Sequence, residues 1–172
     1  MAECKRWHDD AVRDLKSEGH TPFMLRIYPL ATDDCVVWLE PDGLSDKARK
    51  KVRRLSESLP ESNPSAVLIC SDAWLATDAF WDRYGLQSLD LDKKTKRYTE
   101  ILNRDYGGTL ANVPDYLKSE AVCCNIKGPR LMPFSAITFY HRDSNGIVID
   151  KSIEKNDAIW GLIADWWKQA IQ

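Results

Sequence analysis

The run from Ser65 to Trp74 constrains the fold more than any other stretch of the chain. Residues 66–70 are apolar and rich in β-branched side chains, a composition typical of a buried strand. The run then ends in Asp72 and Trp74, which places a carboxylate and a large aromatic ring at the C-terminal end of a core element. Binding sites are often built at such ends, and the same side chains also serve to hold a strand in place. We predict a central strand at 65–73 and take Asp72 and Trp74 as the first candidates for lining a pocket.

The segment that follows, at about 77–118, changes to short helices rich in aromatic residues. Residues 78–84 and 96–106 have helical spacing. We therefore predict a helical insertion between two strands of one sheet. The insertion is expected to fold back over the strand end, with Asp72 bonded to nearby backbone N–H groups and Trp74 in the core.

The remaining elements predict a single α+β domain over residues 1–172. Apolar residues at helical spacing predict further helices at 3–18, at 45–59, and from Asn156 or Asp157 almost to the C-terminus. Alternating patterns predict strands at 23–28, 35–39, 121–127, 134–142 and 147–153, with a hairpin turn at Asn145-Gly146. Successive strands late in the chain are typical of a meander. We expect a mostly antiparallel sheet of about five strands, with helices packed mainly on one face.

Composition and charge indicate a soluble globular protein. Hydrophobic residues make up 44% of the chain and charged residues 29%, and the net charge is −2. The whole chain therefore has no bulk attraction for nucleic acid or for an anionic membrane. The first ten residues lack the apolar region of a signal peptide, and no apolar run approaches the roughly 18–20 residues of a membrane span. We expect a cytoplasmic protein that does not bind membranes.

The cysteines predict a reducing compartment. None of the five forms a C-x-x-C pair, and Cys70, Cys123 and Cys124 lie in apolar runs, where a reduced cysteine behaves as a small hydrophobe. Cys123 and Cys124 are expected to point to opposite faces of a strand. Neither a histidine nor a helix N-terminus is near them in the sequence to lower a thiol pKa. We interpret both as structural.

Metal binding has little support in the sequence. Cys4 and His8 stand four residues apart on a predicted helix, but a structural zinc site needs four ligands and no second pair has suitable spacing. Asp72, Asp78 and Asp82 have the chemistry for magnesium, although acids at these intervals are also common at strand ends and helix N-caps. We expect no metal and no cofactor.

A basic helix face is the main candidate for nucleic-acid binding. It lies opposite the apolar stripe of the helix predicted at 45–59, and its residues are Lys47, Arg49, Lys50, Lys51, Arg53 and Arg54. A line of cations can follow a phosphate backbone, because such contacts need only charge and reach. The face carries no interleaved aromatic residues and no known nucleic-acid motif. The other interpretation is a solvated helix face, which we favour.

The predicted C-terminal helix has an apolar face that covers about half of its circumference. Such a face usually packs across a sheet. Alternatively, one edge protrudes at Trp160 and Trp167 and contacts a protein partner or a second copy, since tryptophan is enriched in binding hot spots.

His141 is a candidate for acid–base chemistry. If Asn145-Gly146 forms the two-residue loop of the hairpin, Ser144 pairs with Ile147 and His141 faces Asp150. A carboxylate beside an imidazole raises its pKa and orients it, as a general base requires. The other interpretation is a simple polar pair across two strands.

The strand that ends in Cys70-Ser71-Asp72-Ala73-Trp74-Leu75 resembles a strand of uncharacterised bacterial and phage-associated proteins. In those proteins a helix precedes a strand that ends in an acid-Ala-Trp triplet, and a later strand opens with Glu-Ala-Val. Glu120-Ala121-Val122 matches that second motif. The two motifs and the order between them cover about half of the chain. The resemblance implies an α+β fold and a soluble bacterial or phage protein, and it implies no activity.

Common catalytic and phosphate-binding motifs are absent from the sequence. The leading hypothesis is therefore a non-catalytic interaction or accessory protein that uses the aromatic insertion and the C-terminal tryptophan helix as contact surfaces. A nucleic-acid-binding protein is the second hypothesis. The third is a small hydrolase or metal-dependent enzyme that uses Asp72 with His141 or Asp150.

Overall fold

The computed structural model describes residues 1–29, 36–40, 50, 54, 64–128 and 130–156. The chain divides into two compact units. The first comprises residues 1–72 and 122–172, and the second comprises residues 73–121. The insertion predicted at 77–118 lies within the second unit.

Among the described residues, six strands form one sheet in the order β2-β1-β3-β4-β5-β6. Their bounds are Phe23–Pro29 (β1), Val36–Glu40 (β2), Pro64–Ala76 (β3), Lys118–Gly128 (β4), Leu131–Asp143 (β5) and Gly146–Lys155 (β6). Strand β1 is antiparallel to both β2 and β3, and β5 is antiparallel to β6. The predicted α+β class with a mostly antiparallel sheet is confirmed, and the sheet has six strands where about five were expected.

Helix α1, Ala2–Glu18, packs on one face of this sheet. It ends at Gly19, which adopts a left-handed conformation with φ 79° and donates its N–H to the carbonyl of Leu15. Its buried face contributes to a cluster with alternate residues of β3, β4 and β5, whose members include Cys4, Ala11, Leu15, Leu68, Val122, Ala136 and Tyr140. The helix predicted at 3–18 is confirmed, because its apolar spacing and its terminal glycine both act locally.

The opposite face of the sheet is also buried. Val67 and Ile69 of β3 are 1% and 5% exposed, and Leu25 of β1 and Ile137 of β5 are each 3% exposed. Both faces of β3 are therefore apolar, which explains why this strand is a continuous apolar run in the sequence rather than an alternating one.

The second unit has its own aromatic core. Helices α2, Asp78–Arg83, and α3, Leu91–Tyr106, are followed by two 3₁₀ turns at 110–112 and 115–117. Phe80 is fully buried in a cluster with Leu86, Ile101, Leu102, Val113 and Leu117. Helix α3 begins five residues before the predicted start at 96, because the side chain of Asp90 accepts a hydrogen bond from the N–H of Lys93 and caps the helix there.

His8 of α1 makes the stability of the first unit depend on pH. The side chain is only 6% exposed, and burial lowers the pKa of His8 although Asp9 and Glu154 act in the opposite direction. Between the folded pKa and the unfolded value of about 6.5, the unfolded state binds more protons. The free energy of unfolding should therefore fall as the pH drops below about 6.5, by up to about 1.4 kcal/mol per pH unit.

Urea unfolding at several pH values between about 7.5 and 5 tests this prediction. The His8→Gln variant should lose most of the pH dependence in this range. The His20→Gln variant is the matched control, because His20 is exposed, and it should keep the slope of the parent protein. Equal slopes in the parent and in His8→Gln would contradict the prediction.

Candidate functional site

Asp72 at the end of the core strand is bonded to a tyrosine on another strand. The hydroxyl of Tyr140 donates a hydrogen bond of 2.7 Å to Oδ2 of Asp72, and Tyr140 is only 1% exposed. Because β4 lies between β3 and β5, this bond connects two strands that are not neighbours. The expected partners of Asp72 were nearby backbone N–H groups, and sequence spacing contained no signal for Tyr140.

Arg142 extends this network to the end of α1. Its Nη1 donates to the carbonyl oxygen of Gly19 at 2.8 Å, and its Nη2 lies 3.4 Å from the hydroxyl of Tyr140. The guanidinium also lies 5.5 Å from the centre of the Tyr140 ring. The tyrosine hydroxyl is thus held between a carboxylate and a guanidinium. The Tyr140 hydroxyl is buried, and the arrangement acts as a clamp between α1, β3 and β5.

His141 and Asp150 meet, although by a different register from the one expected. Nδ1 of His141 lies 2.8 Å from Oδ1 of Asp150, and both side chains are about half exposed. The predicted loop at Asn145-Gly146 is wrong, because Asp143 pairs with Gly146 and His141 pairs with Val148. The register shifts between Phe139 and Tyr140, which leaves Asp150 diagonal to His141 on the same face.

Asp72 and His141 are not brought together. The side chain of Tyr140 reaches Asp72, and neighbouring residues on a strand point to opposite faces, so His141 points away from Asp72. The same holds for Asp150, which is bonded to His141. A groove of about 420 Å³ lies between α1 and strands β5 and β6, and neither Asp72 nor Trp74 lines it. The geometry therefore lacks the dyad that the hydrolase hypothesis requires.

Trp74 lies on the surface of the second unit rather than in the core. The residue is 38% exposed, so the prediction of a buried ring is wrong. Nζ of Lys118 lies 4.4 Å from the centre of the ring. The same ammonium group donates to the carbonyl oxygen of Ala111 at 2.6 Å and lies 3.4 Å from Oδ1 of Asp115. Because strand β3 continues to Ala76, Trp74 is an ordinary strand position whose ring is covered on one side by a lysine.

Tyr116 lies two residues before Lys118 in the chain and is 64% exposed. Its hydroxyl accepts a hydrogen bond from Nη1 of Arg83 at 2.5 Å. Its backbone carbonyl accepts one from the hydroxyl of Thr77, whose N–H donates to the carbonyl of Leu117. We call this region the Trp74–Tyr116 surface, and its residues are Trp74, Thr77, Arg83, Tyr116 and Lys118.

The other predicted site residues are only partly covered by the structure. Lys50 and Arg54 are helical and exposed, and their spacing of four places them on the same side of a helix. Six candidates lie outside the described residues, and they are Lys47, Arg49, Lys51, Arg53, Trp160 and Trp167.

Comparison with known proteins identifies no relative: no protein family, no curated protein and no solved structure matches the chain. The resemblance based on the acid-Ala-Trp strand end therefore stays a prediction. In the part of the chain that the structure describes, no three His, Cys, Asp or Glu side chains are arranged to hold a metal ion. No helix among the described residues has the length and hydrophobicity needed to cross a bilayer.

Proposed function

We propose that this chain is a non-catalytic interaction protein that binds a protein partner through the Trp74–Tyr116 surface. The observation that carries the proposal is the exposure of two large aromatic rings on a unit whose other aromatic side chains are packed together. Phe80 is fully buried, and Trp81, Tyr84, Tyr98 and Tyr106 pack against the same cluster.

The two exposed rings are held in place by neighbouring groups. Lys118 lies over Trp74, and Arg83 donates a hydrogen bond to the hydroxyl of Tyr116. A side chain that is already ordered loses less conformational entropy when a partner binds. Tryptophan, tyrosine and arginine are also the residue types most enriched in the hot spots of protein interfaces. Both properties support a binding role for this surface.

The charges around the surface favour a protein partner over nucleic acid. Asp78, Asp82 and Asp115 are exposed, and their carboxylates would repel a phosphate backbone. The ammonium of Lys118 is buried and already bonded to Ala111. The surface therefore suits a protein segment that offers an apolar side chain to Trp74 and a hydrogen-bond acceptor to Arg83.

Substitution of the exposed rings should abolish tight binding without loss of stability. Partner proteins that are isolated together with the full chain are first purified. The dissociation constant of each partner from the chain is then measured by calorimetry. Trp74→Ala and Tyr116→Ala should each weaken binding by about 30-fold or more, because hot-spot truncations cost about 2 kcal/mol or more.

Met132→Ala is the matched control, because Met132 is 69% exposed and lies in the first unit. This variant should bind like the parent. A partner whose affinity is unchanged by both aromatic substitutions would contradict the proposal. Size-exclusion chromatography shows whether the chain binds a second copy of itself. A dimer formed through this surface would also contradict the proposal of a separate protein partner.

Nucleic-acid binding through the basic helix face is the alternative. Its support is the exposure of Lys50 and Arg54 on one side of a helix, which leaves both free to approach a phosphate backbone. The expected result is retention on heparin at low salt that is lost in the Lys50→Glu, Arg54→Glu double variant. Absence of retention in the parent protein would exclude this alternative.

A further inference from the structure

Three thiols from three different elements meet beneath α1. Cys4 of α1, Cys70 of β3 and Cys124 of β4 are 0%, 2% and 0% exposed, and none is in a disulfide. The thiol of Cys4 donates to the backbone carbonyl of Cys124 at 3.3 Å. Cys4, Cys70 and Cys124 belong to the same buried cluster. Cys123 points to the other face of β4 and is outside this cluster.

The position of Cys4 favours its thiolate. Cys4 lies in the first turn of the 17-residue helix α1, where the helix dipole stabilises negative charge. A hydrogen bond from the side chain of Cys124 lowers the pKa of Cys4 against the cost of burial. Contacts with Cys4 and Cys70, together with burial, raise the pKa of Cys124. No helix begins near Cys124 in the sequence. The helix N-terminus that lies beside Cys124 in the fold is that of α1, and its residue Cys4 is 120 positions away in the chain.

The first turn of α1 lacks a side-chain cap. Its N-cap residue is Met1, whose side chain makes no capping hydrogen bond. Helices without such a cap lose stability at their first turn. We expect transient opening of this turn to expose Cys4 to small solutes.

We propose that Cys4 and Cys124 form a site of reversible oxidation, at which hydrogen peroxide converts the two thiols into a disulfide between α1 and β4. The Cys4 thiolate attacks one peroxide oxygen and the O–O bond breaks. The hydroxide that leaves takes up a proton and becomes water. The resulting sulfenic acid is attacked by the sulfur of Cys124, the S–S bond forms, and a second water leaves with the Cys124 proton. Both sulfurs are oxidised and one peroxide is reduced to two waters.

The experiment treats the folded full-length chain with hydrogen peroxide, blocks free thiols with an alkylating reagent under denaturing conditions, and maps the linkage by mass spectrometry without reduction. We expect the loss of two hydrogens from the intact mass and a peptide that joins Cys4 to Cys124, reversed by dithiothreitol. The oxidised chain should also unfold at a higher urea concentration, because the bridge restricts the unfolded state.

Three variants provide the controls. Cys4→Ser and Cys124→Ser should lose the disulfide, and Cys123→Ala should keep it, since Cys123 lies on the opposite face of the same strand. If Cys124→Ser does not fold, Cys4→Ser alone decides the result. All thiols remaining free after peroxide treatment, or a bridge between any other two cysteines, would overturn the proposal.

Discussion

Replacing Phe80 with alanine is expected to lower the free energy of unfolding by about 3–5 kcal/mol. The Phe80 side chain is fully buried, and its ring centre lies 4.9 Å from that of Tyr84, 5.4 Å from Trp81 and 5.7 Å from Tyr98. The substitution removes buried apolar surface, leaves a cavity and breaks all three ring contacts. Urea unfolding followed by tryptophan fluorescence measures the change, and near-UV circular dichroism reports the loss of aromatic packing.

Tyr116→Ala is the control for this prediction, because Tyr116 lies in the same unit but is 64% exposed. Its effect on stability should stay within about 0.5 kcal/mol. The pair of variants thus separates the aromatic residues that hold the second unit together from those that we propose bind a partner. Parent-like stability of Phe80→Ala would show that the aromatic cluster is not a folded core.

Replacing Gly128 with alanine is the second change with a large expected effect. An added Cβ would lie 2.1 Å from the carbonyl oxygen of Ser65 and 3.2 Å from Cα of Ala66. Both contacts are with backbone atoms of β3, so no side-chain rotation can relieve them. The ends of β3 and β4 must separate, and we expect a loss of about 3 kcal/mol or more in the free energy of unfolding.

Gly85→Ala is the comparison that isolates the steric cause. Gly85 has no atom within 4 Å of an added Cβ, but its φ of 62° is in the left-handed region, so the substitution should cost only about 1–2 kcal/mol. Denaturant unfolding of both variants in the same buffer gives the comparison. An equal or smaller loss for Gly128→Ala would rule out close backbone approach as the reason for glycine at this position.

Local pattern predicted the elements well where one interaction dominates. Helix α1 and the strand after Ser65 follow from the apolar spacing and from the glycine at position 19. The start of α3 was missed because three charged residues follow Leu91 in its first turn, and the cap at Asp90 outweighed the weak apolar signal. The hairpin between β5 and β6 was predicted in place but not in register, because Oδ1 of Asp143 accepts from the N–H of Asn145 and Gly146 joins the strand.

The exposure of Trp74 at the end of β3 could not be predicted from the local sequence pattern. Trp74 was expected in the core because large aromatic residues usually lie there. Whether a strand position is covered depends on what packs over the sheet at that point, and alternation along the strand contains no information on this. Lys118 lies over the ring of Trp74, which is still 38% exposed.

The sequence by itself determined the α+β class, the core strand and the first helix, because these depend on residues within a few positions of one another. Tertiary structure decided which side chains meet. Asp72 and Tyr140 are 68 residues apart, and Cys4 and Cys124 are 120 apart. Such contacts depend on strand order and on register, and a shift of one residue would turn each side chain to the other face of the sheet. The candidate site and the thiol cluster therefore became visible only in the folded chain.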